Sequence, residues 1–130
     1  AVLKPSGVRI GTAEIYNVVE RIAGVADSLA IGQNWEGEQR IILFVKLAPG
    51  GSLTEELKNT IKKTLREKAS PRHVPSIIME MPDAPYTMNM KKVESAVTNI
   101  IHGRPVLNRD ALSNPQVLDY FEKIVPELQK

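Results

Sequence analysis

The chain has 130 residues, 42% hydrophobic and 25% charged, which suits one globular domain that buries a core without metal or disulfide staples. It has no cysteine, which excludes disulfides and thiolate metal sites and points to a reducing compartment or to none in particular. A net charge of +2 makes no case for nucleic acid or a membrane surface, the first residues lack a signal-peptide run, and no stretch of about 18 apolar residues exists to span a bilayer.

In chain order, Val2-Leu3-Lys4 and Val8-Arg9-Ile10 predict two short strands around the turn Pro5-Ser6-Gly7. Thr12 is placed to cap a helix with Ile15, Val18, Val19 and Ile22 on one face, and Gly24 to end it. Val25 to Ile31 reads as a first core strand, and Gln33 to Glu38 as a polar turn in which Trp35 is a packing residue. Arg40 to Ala48 carries the run Ile41-Ile42-Leu43-Phe44-Val45, which suits a strand buried on both faces. Pro49-Gly50-Gly51 breaks it. Ser52 with Glu55 forms a capping box for a helix whose Leu53, Leu57, Ile61 and Leu65 make a narrow apolar stripe under a solvated, charged surface. Pro71 and Pro75 bracket an extended link into a third core strand, Ser76 to Met81. Pro82 to Met90 is a turn-rich loop, and Val93, Ala96, Val97, Ile100 and Ile101 define a last main helix ended by Gly103. A polar tail follows, with one weak helix near Pro115 to Lys123 that Asn114 is placed to cap and Pro115 to begin. The fold class is therefore α/β: a small sandwich of about three core strands covered by helices, preceded by a two-stranded ribbon and followed by a partly helical C-terminal tail. Residues 1–103 form the domain proper and 104–130 an extension with a short helix.

Two segments are richer than a scaffold requires. Lys4 to Ile15 gathers glycines and polar groups around Lys4 and Arg9 at a strand-to-helix junction, where backbone N–H groups suit a phosphate or carboxylate. From spacing alone, a glycine-rich turn with solvated charges accounts for it as well. In Pro85 to Lys92 a stiffened loop delivers Lys91 just before a helix, a mobile cation suited to a phosphate oxygen. Spacing alone favours an ordinary exposed lysine there. His73 and His102 have no partner at metal-ligand spacing, so no metal site is expected. Ser6, Ser70, Ser76 and Ser113 lack nucleophile-elbow context, and Asp27, Glu36 and Glu38 form no convincing catalytic pair.

Taken together, the two segments resemble the carboxy-terminal domain of the adenylate-forming superfamily of acyl-CoA synthetases, luciferases and peptide-synthetase adenylation domains. Lys4, Gly7, Arg9, Ile10, Glu14 and Ile15 match its K-x-x-G-x-R-I-x-x-x-E-I pattern in register, and Pro85, Thr87 and Lys91 match P-x-T-x-x-G-K. Gly24 to Gly32 and Gly37-Glu38 look like the intervening strand and its "GE" turn, so the likeness spans residues 3–95 in order. Tyr16, the run Lys91-Lys92-Val93-Glu94, and the tail with Asn108-Arg109 and Ser113-Asn114-Pro115 resemble the branch that activates acetoacetate.

The resemblance implies a lid that works with ATP, Mg²⁺ and CoA in a full-length ligase, binds none of them alone, and has as partners the amino-terminal domain of the same polypeptide and small-molecule substrates, with no nucleic acid and no membrane. It further implies a cytosolic enzyme of ketone-body and lipid (fatty acid) metabolism. Lys91 would serve acyl-adenylate formation; Ser6, Gly7 and Arg9 would line the CoA path, and Arg66 would meet a CoA phosphate. Lys4, Glu14, Pro85 and Thr87 support the motifs. Two departures stand out. The hinge acid and arginine that precede the first lysine in the superfamily are not in the chain, which reads as an excised domain, and Met90 replaces the glycine before the catalytic lysine. The alternatives are a ligase-like regulatory protein with impaired catalysis and a free-standing α/β module binding nucleic acid.

Overall fold

A computed structural model describes residues 2–130. Its centre is a three-stranded sheet in the order β3 (Val25–Trp35), β4 (Glu38–Leu47), β5 (Ile77–Glu80), with β3 and β4 antiparallel and β5 parallel to β4. The run Ile41 to Val45 on β4 is buried throughout because alternate residues feed two separate cores. On one face Leu29, Ile31, Ile42 and Phe44 pack with α3 (Glu94–Ile101) and α4 (Leu118–Ile124). On the other, Ala30, Ile41, Leu43, Val45 and Ile78 pack with α1 (Thr12–Val19) and α2 (Glu55–Lys68) through Ile15, Val19, Ile61 and Leu65. The ribbon, β1 (Val2–Leu3) with β2 (Ile10–Gly11), is antiparallel and lays Leu3 and Ile10 on that second core. The expected α/β sandwich and ribbon are both present, and among the described residues no helix is long and apolar enough to cross a membrane.

Several local expectations are corrected. The polar turn at 33–38 shrinks to Glu36-Gly37, both at positive φ (51° and 82°), the requirement of a tight two-residue hairpin. β3 therefore runs on through Trp35, whose ring lies 3.9 Å beneath the Arg40 guanidinium, so it packs from a strand and not from a turn. Gln33 is pulled inside by a 2.8 Å bond from its amide to the Leu128 carbonyl. The second ribbon strand is Ile10–Gly11 instead of Val8 to Ile10, because Val8 N–H is spent closing the turn on Pro5 O. Gly11 occupies the N-cap of α1, and Thr12 Oγ1 instead donates to Glu94 on α3. That helix ends at Val19, before Ile22. Thr54, not Ser52, caps α2 by accepting from Leu57 N–H at 3.1 Å. The 71–75 link contains a 3₁₀ turn, Pro71–His73, whose first N–H bonds the Ser70 side chain.

The tail departs most from its polar reading. Leu112, Val117, Leu118, Phe121 and Leu128 are all buried in the first core. Four short helical pieces between Arg109 and Gln129 fold it back, with Pro115 opening one of them as expected. Asn114 makes no side-chain cap; its amide is used elsewhere. Phe121 stands edge-on to Phe44 at 5.0 Å, and both are fully buried. Phe121→Ala should therefore cost about 3–5 kcal/mol in urea unfolding. A loss within about 0.5 kcal/mol, typical of a surface site, would mean the tail does not share the core.

Candidate functional site

The two sequence-rich segments lie at opposite ends of the β3–β4 hairpin. The turn Pro5–Gly7 rests beside the hairpin tip, where Lys4, Ser6, Gly7, Asn34, Gly37, Glu38 and Gln39 line an open recess of about 400 Å³. Lys4 N–H donates to Gln39 Oε1 at 2.6 Å. Gln39 folds over Gly32 to reach it, and a Cβ at Gly32 would stand 2.4 Å from Gln39 Cδ. Ser6 and Gly7 are left-handed, at φ 52° and 80°. The amides expected to face an anion are partly spent, since Gly7 N–H bonds Lys4 O and Val8 N–H bonds Pro5 O. Arg9 is exposed outside that recess, and Arg66 is exposed on the last turn of α2. Glu14 is engaged with His73 Nε2, while Ser70 Oγ lies 2.6 Å from His73 Nδ1, so this motif acid ties α1 to the 70–73 turn. His102 is structural too: its Nε2 accepts from Asn34 N–H at 3.0 Å.

At the other end of β3, residues 86–92 form a small hairpin bridged between Tyr86 and Lys92. Thr87 N–H donates to Lys91 O, Met90 N–H donates to Thr87 O, both at 2.9 Å, and Lys91 N–H reaches Thr87 Oγ1 at 3.2 Å. This pattern needs a left-handed residue at position 90, and Met90 supplies it at φ 63°. The methionine therefore holds a conformation that favours glycine, and its side chain is 70% exposed. Pro85 is buried behind the hairpin, and its carbonyl accepts from Val93 N–H at 2.9 Å as the chain turns toward α3.

The adjacent lysines have separate tasks. Lys91 is exposed, and among the described residues no side-chain partner holds its ammonium. Lys92 is an anchor: its ammonium pairs with Glu20, lies 3.1 Å from Asp27 Oδ1 and sits 3.6 Å over the Tyr16 ring. Tyr86 OH donates to Asp27, and Ser28 Oγ donates to Glu20 at 2.7 Å. Tyr16 OH accepts from Ala30 N–H at 3.0 Å and donates to Glu94 at 2.9 Å. Burial pushes both phenols well above their usual range, and the carboxylates they face, Glu94 for Tyr16 and Asp27 for Tyr86, push the same way. Both stay protonated as donors. The loop that exposes Lys91 is thus bolted to the start of β3 by a cation, two carboxylates and a phenol.

Sequence reasoning missed this anchor. Asp27 was weighed only against Glu36 and Glu38, which lie at the far hairpin tip. Glu20 at the end of α1, Asp27 on β3, and Tyr86 and Lys92 on the two legs of the 86–92 hairpin are gathered only by the tertiary fold. The one available signal was Tyr16 within the first motif. Asp27 and Asn34, seven residues apart on β3, set the two candidate surfaces roughly 20–25 Å from one another.

No family model matches the chain. It is 55% identical over 121 residues to an acetoacetyl-coenzyme A synthetase of Rhizobium meliloti, covering 93% of this chain and 19% of that protein. It is 50% identical over 128 residues to the acetoacetyl-CoA synthetase of Gallus gallus, covering 98% of this chain and again 19% of the relative. Among solved structures, acetoacetyl-CoA synthetase from Streptomyces lividans superposes with a TM-score of 0.84 at 36% identity, over 92% of this chain and 18% of that one. A Brucella canis acyl-CoA synthetase superposes at 0.65 with 25% identity, over 71% of this chain and 17% of that one. The chain spans about 19% of the length of the curated relatives it matches.

A methionine held left-handed costs roughly 1–2 kcal/mol, of which glycine's larger unfolded-state entropy cancels roughly 0.5–1 kcal/mol. Met90→Gly should therefore stabilise the fold by about 0.5–1 kcal/mol in urea unfolding, with the m-value unchanged. A destabilised variant would show that the Met90 side chain contributes more by packing than its backbone loses by strain.

Proposed function

We propose, on the premise that this chain is a homologue of a carboxy-terminal 19% of acetoacetyl-CoA synthetases, that it is the lid of an ATP-dependent acid–thiol ligase. The single observation that carries the reading is an exposed Lys91 on a closed, anchored hairpin. In the whole enzyme a carboxylate oxygen of acetoacetate attacks the α-phosphorus of ATP and pyrophosphate leaves, giving acetoacetyl-AMP. Lys91 reaches from the lid to the oxygens where charge gathers, and a positioned cation lowers that barrier in a water-poor site. The CoA thiol then attacks the acyl carbonyl, loses its proton, and AMP departs.

The separation of the two candidate surfaces along β3 supports a lid that turns between these steps. One orientation brings Lys91 to the nucleotide; the other brings Ser6, Gly7 and Arg9 to the thiol's path and Arg66 to a CoA phosphate. The partner in both is the amino-terminal domain of the same polypeptide, which supplies the acid pocket and nucleotide site. Among the described residues no three or more His, Cys, Asp or Glu side chains gather to hold a metal ion. The reading puts the enzyme in the cytosol, in ketone-body and lipid (fatty acid) metabolism. A second reading, a ligase-like regulator with weakened catalysis, draws on Met90 at the lysine's neighbour position.

In the full-length protein, Lys91→Ala should slow ATP–pyrophosphate exchange with acetoacetate by about 100-fold or more, as loss of a transition-state cation does. Thioester formation from supplied acetoacetyl-AMP should stay within about twofold of the parent. Equal loss of both half-reactions would refute the division of labour between the two surfaces.

A further inference from the structure

We infer that residues 112–114 of the C-terminal segment clamp the Lys91 loop, and that Asn114 is a positioning residue for adenylate formation. This rests on the reading of Lys91 above. The Lys91 hairpin has two legs. Lys92 fixes one to α1 and β3 through Glu20 and Asp27. The other leg, Ala84 to Thr87, contains Pro85, which has no N–H to offer a neighbouring strand.

Asn114 supplies what that proline removes. Its Oδ1 accepts from Tyr86 N–H at 3.0 Å, while its Nδ2 donates to Ala84 O at 2.8 Å. The amide thus acts as an extra peptide group laid across the Ala84-Pro85-Tyr86 backbone, one end matching a donor and the other an acceptor. Ser113 continues the pairing: its N–H donates to Tyr86 O at 2.8 Å and its Oγ to the same oxygen at 3.2 Å. Thr87 bridges to Leu112, which is 4% exposed in the first core. With Pro85 O taken by Val93 N–H and both backbone polar groups of Thr87 closing the turn, the backbone of this leg has little room to shift. The lysine's approach is therefore fixed by the Tyr86–Asp27 bond together with a segment that follows it by more than twenty residues.

Misplacing a reacting group by about 1 Å can lower a rate roughly 100-fold, so loosening this leg should act on chemistry more than on binding. Asn114→Asp keeps the shape and the acceptor but sets a carboxylate oxygen against Ala84 O; Asn114→Ala removes both bonds. In the full-length protein, each should lower the kcat of ATP–pyrophosphate exchange about 10- to 100-fold. The KM for ATP and the thioester step from supplied acyl-adenylate should stay within about twofold. If both half-reactions fall in step, Asn114 serves only general stability and the inference is wrong; if neither falls, it is equally wrong. Lys91→Ala in the same assay separates the two readings. Should that variant keep full exchange, the assignment of Lys91 fails whatever Asn114 does. Should it lose exchange while both Asn114 variants keep it, the clamp alone fails.

Discussion

The long antiparallel hairpin of β3 and β4 is the constraint on which the rest of the chain depends. Because side chains alternate across it, Ile42 and Phe44 belong to one core while Ile41, Leu43 and Val45 belong to the other. Neither layer of helices can shift without disturbing the shared sheet, since close-packed interiors give little. The hairpin is therefore a stiff spacer, and both candidate surfaces are fastened to it: the glycine turn beside its tip through Gln39, the Lys91 loop at its base through Asp27. A lid presenting two different faces to one site needs this property. Their separation is set by strand length and not by loop flexibility.

The base of the hairpin also explains why two neighbouring lysines differ so much. Lys92 is surrounded by Glu20, Asp27 and the face of Tyr16, and its charge is neutralised within the domain. Lys91, one residue earlier, points its charge outward from a turn closed by Thr87 and Met90. Anchoring one cation allows the other to be presented without a tether of its own. The same logic gives the C-terminal segment a purpose beyond core filling, because it holds the leg that Lys92 does not.

Much of this fold was legible in the sequence where periodicity was strong. The run at 41–45, the stripe through Ile61 and Leu65, and the helix bearing Val97 and Ile101 all lie where their patterns put them. The failures share a cause. Gln33, Asn34 and Trp35 read as a polar turn because their partners, Leu128, His102 and Arg40, lie far along the chain or across the strand. The tail read as polar because Leu112, Val117, Leu118, Phe121 and Leu128 lie among polar residues and prolines that break any long apolar stripe, yet short successive turns bring each of them to the core. Lys91 was legible as an exposed lysine at the end of a stiffened loop. Its supports, Lys92 and Asn114, were not, because their partners lie on other elements.

The central claim is that two surfaces at opposite ends of one hairpin serve different half-reactions in turn. Amide hydrogen exchange on the full-length protein reads both surfaces at once. With a non-hydrolysable ATP analogue and acetoacetate, the account expects slowed exchange at residues 86–92 and unchanged exchange at 5–9. With AMP and CoA it expects the reverse. Protection of both segments together in one liganded state would contradict a lid that works through alternate faces.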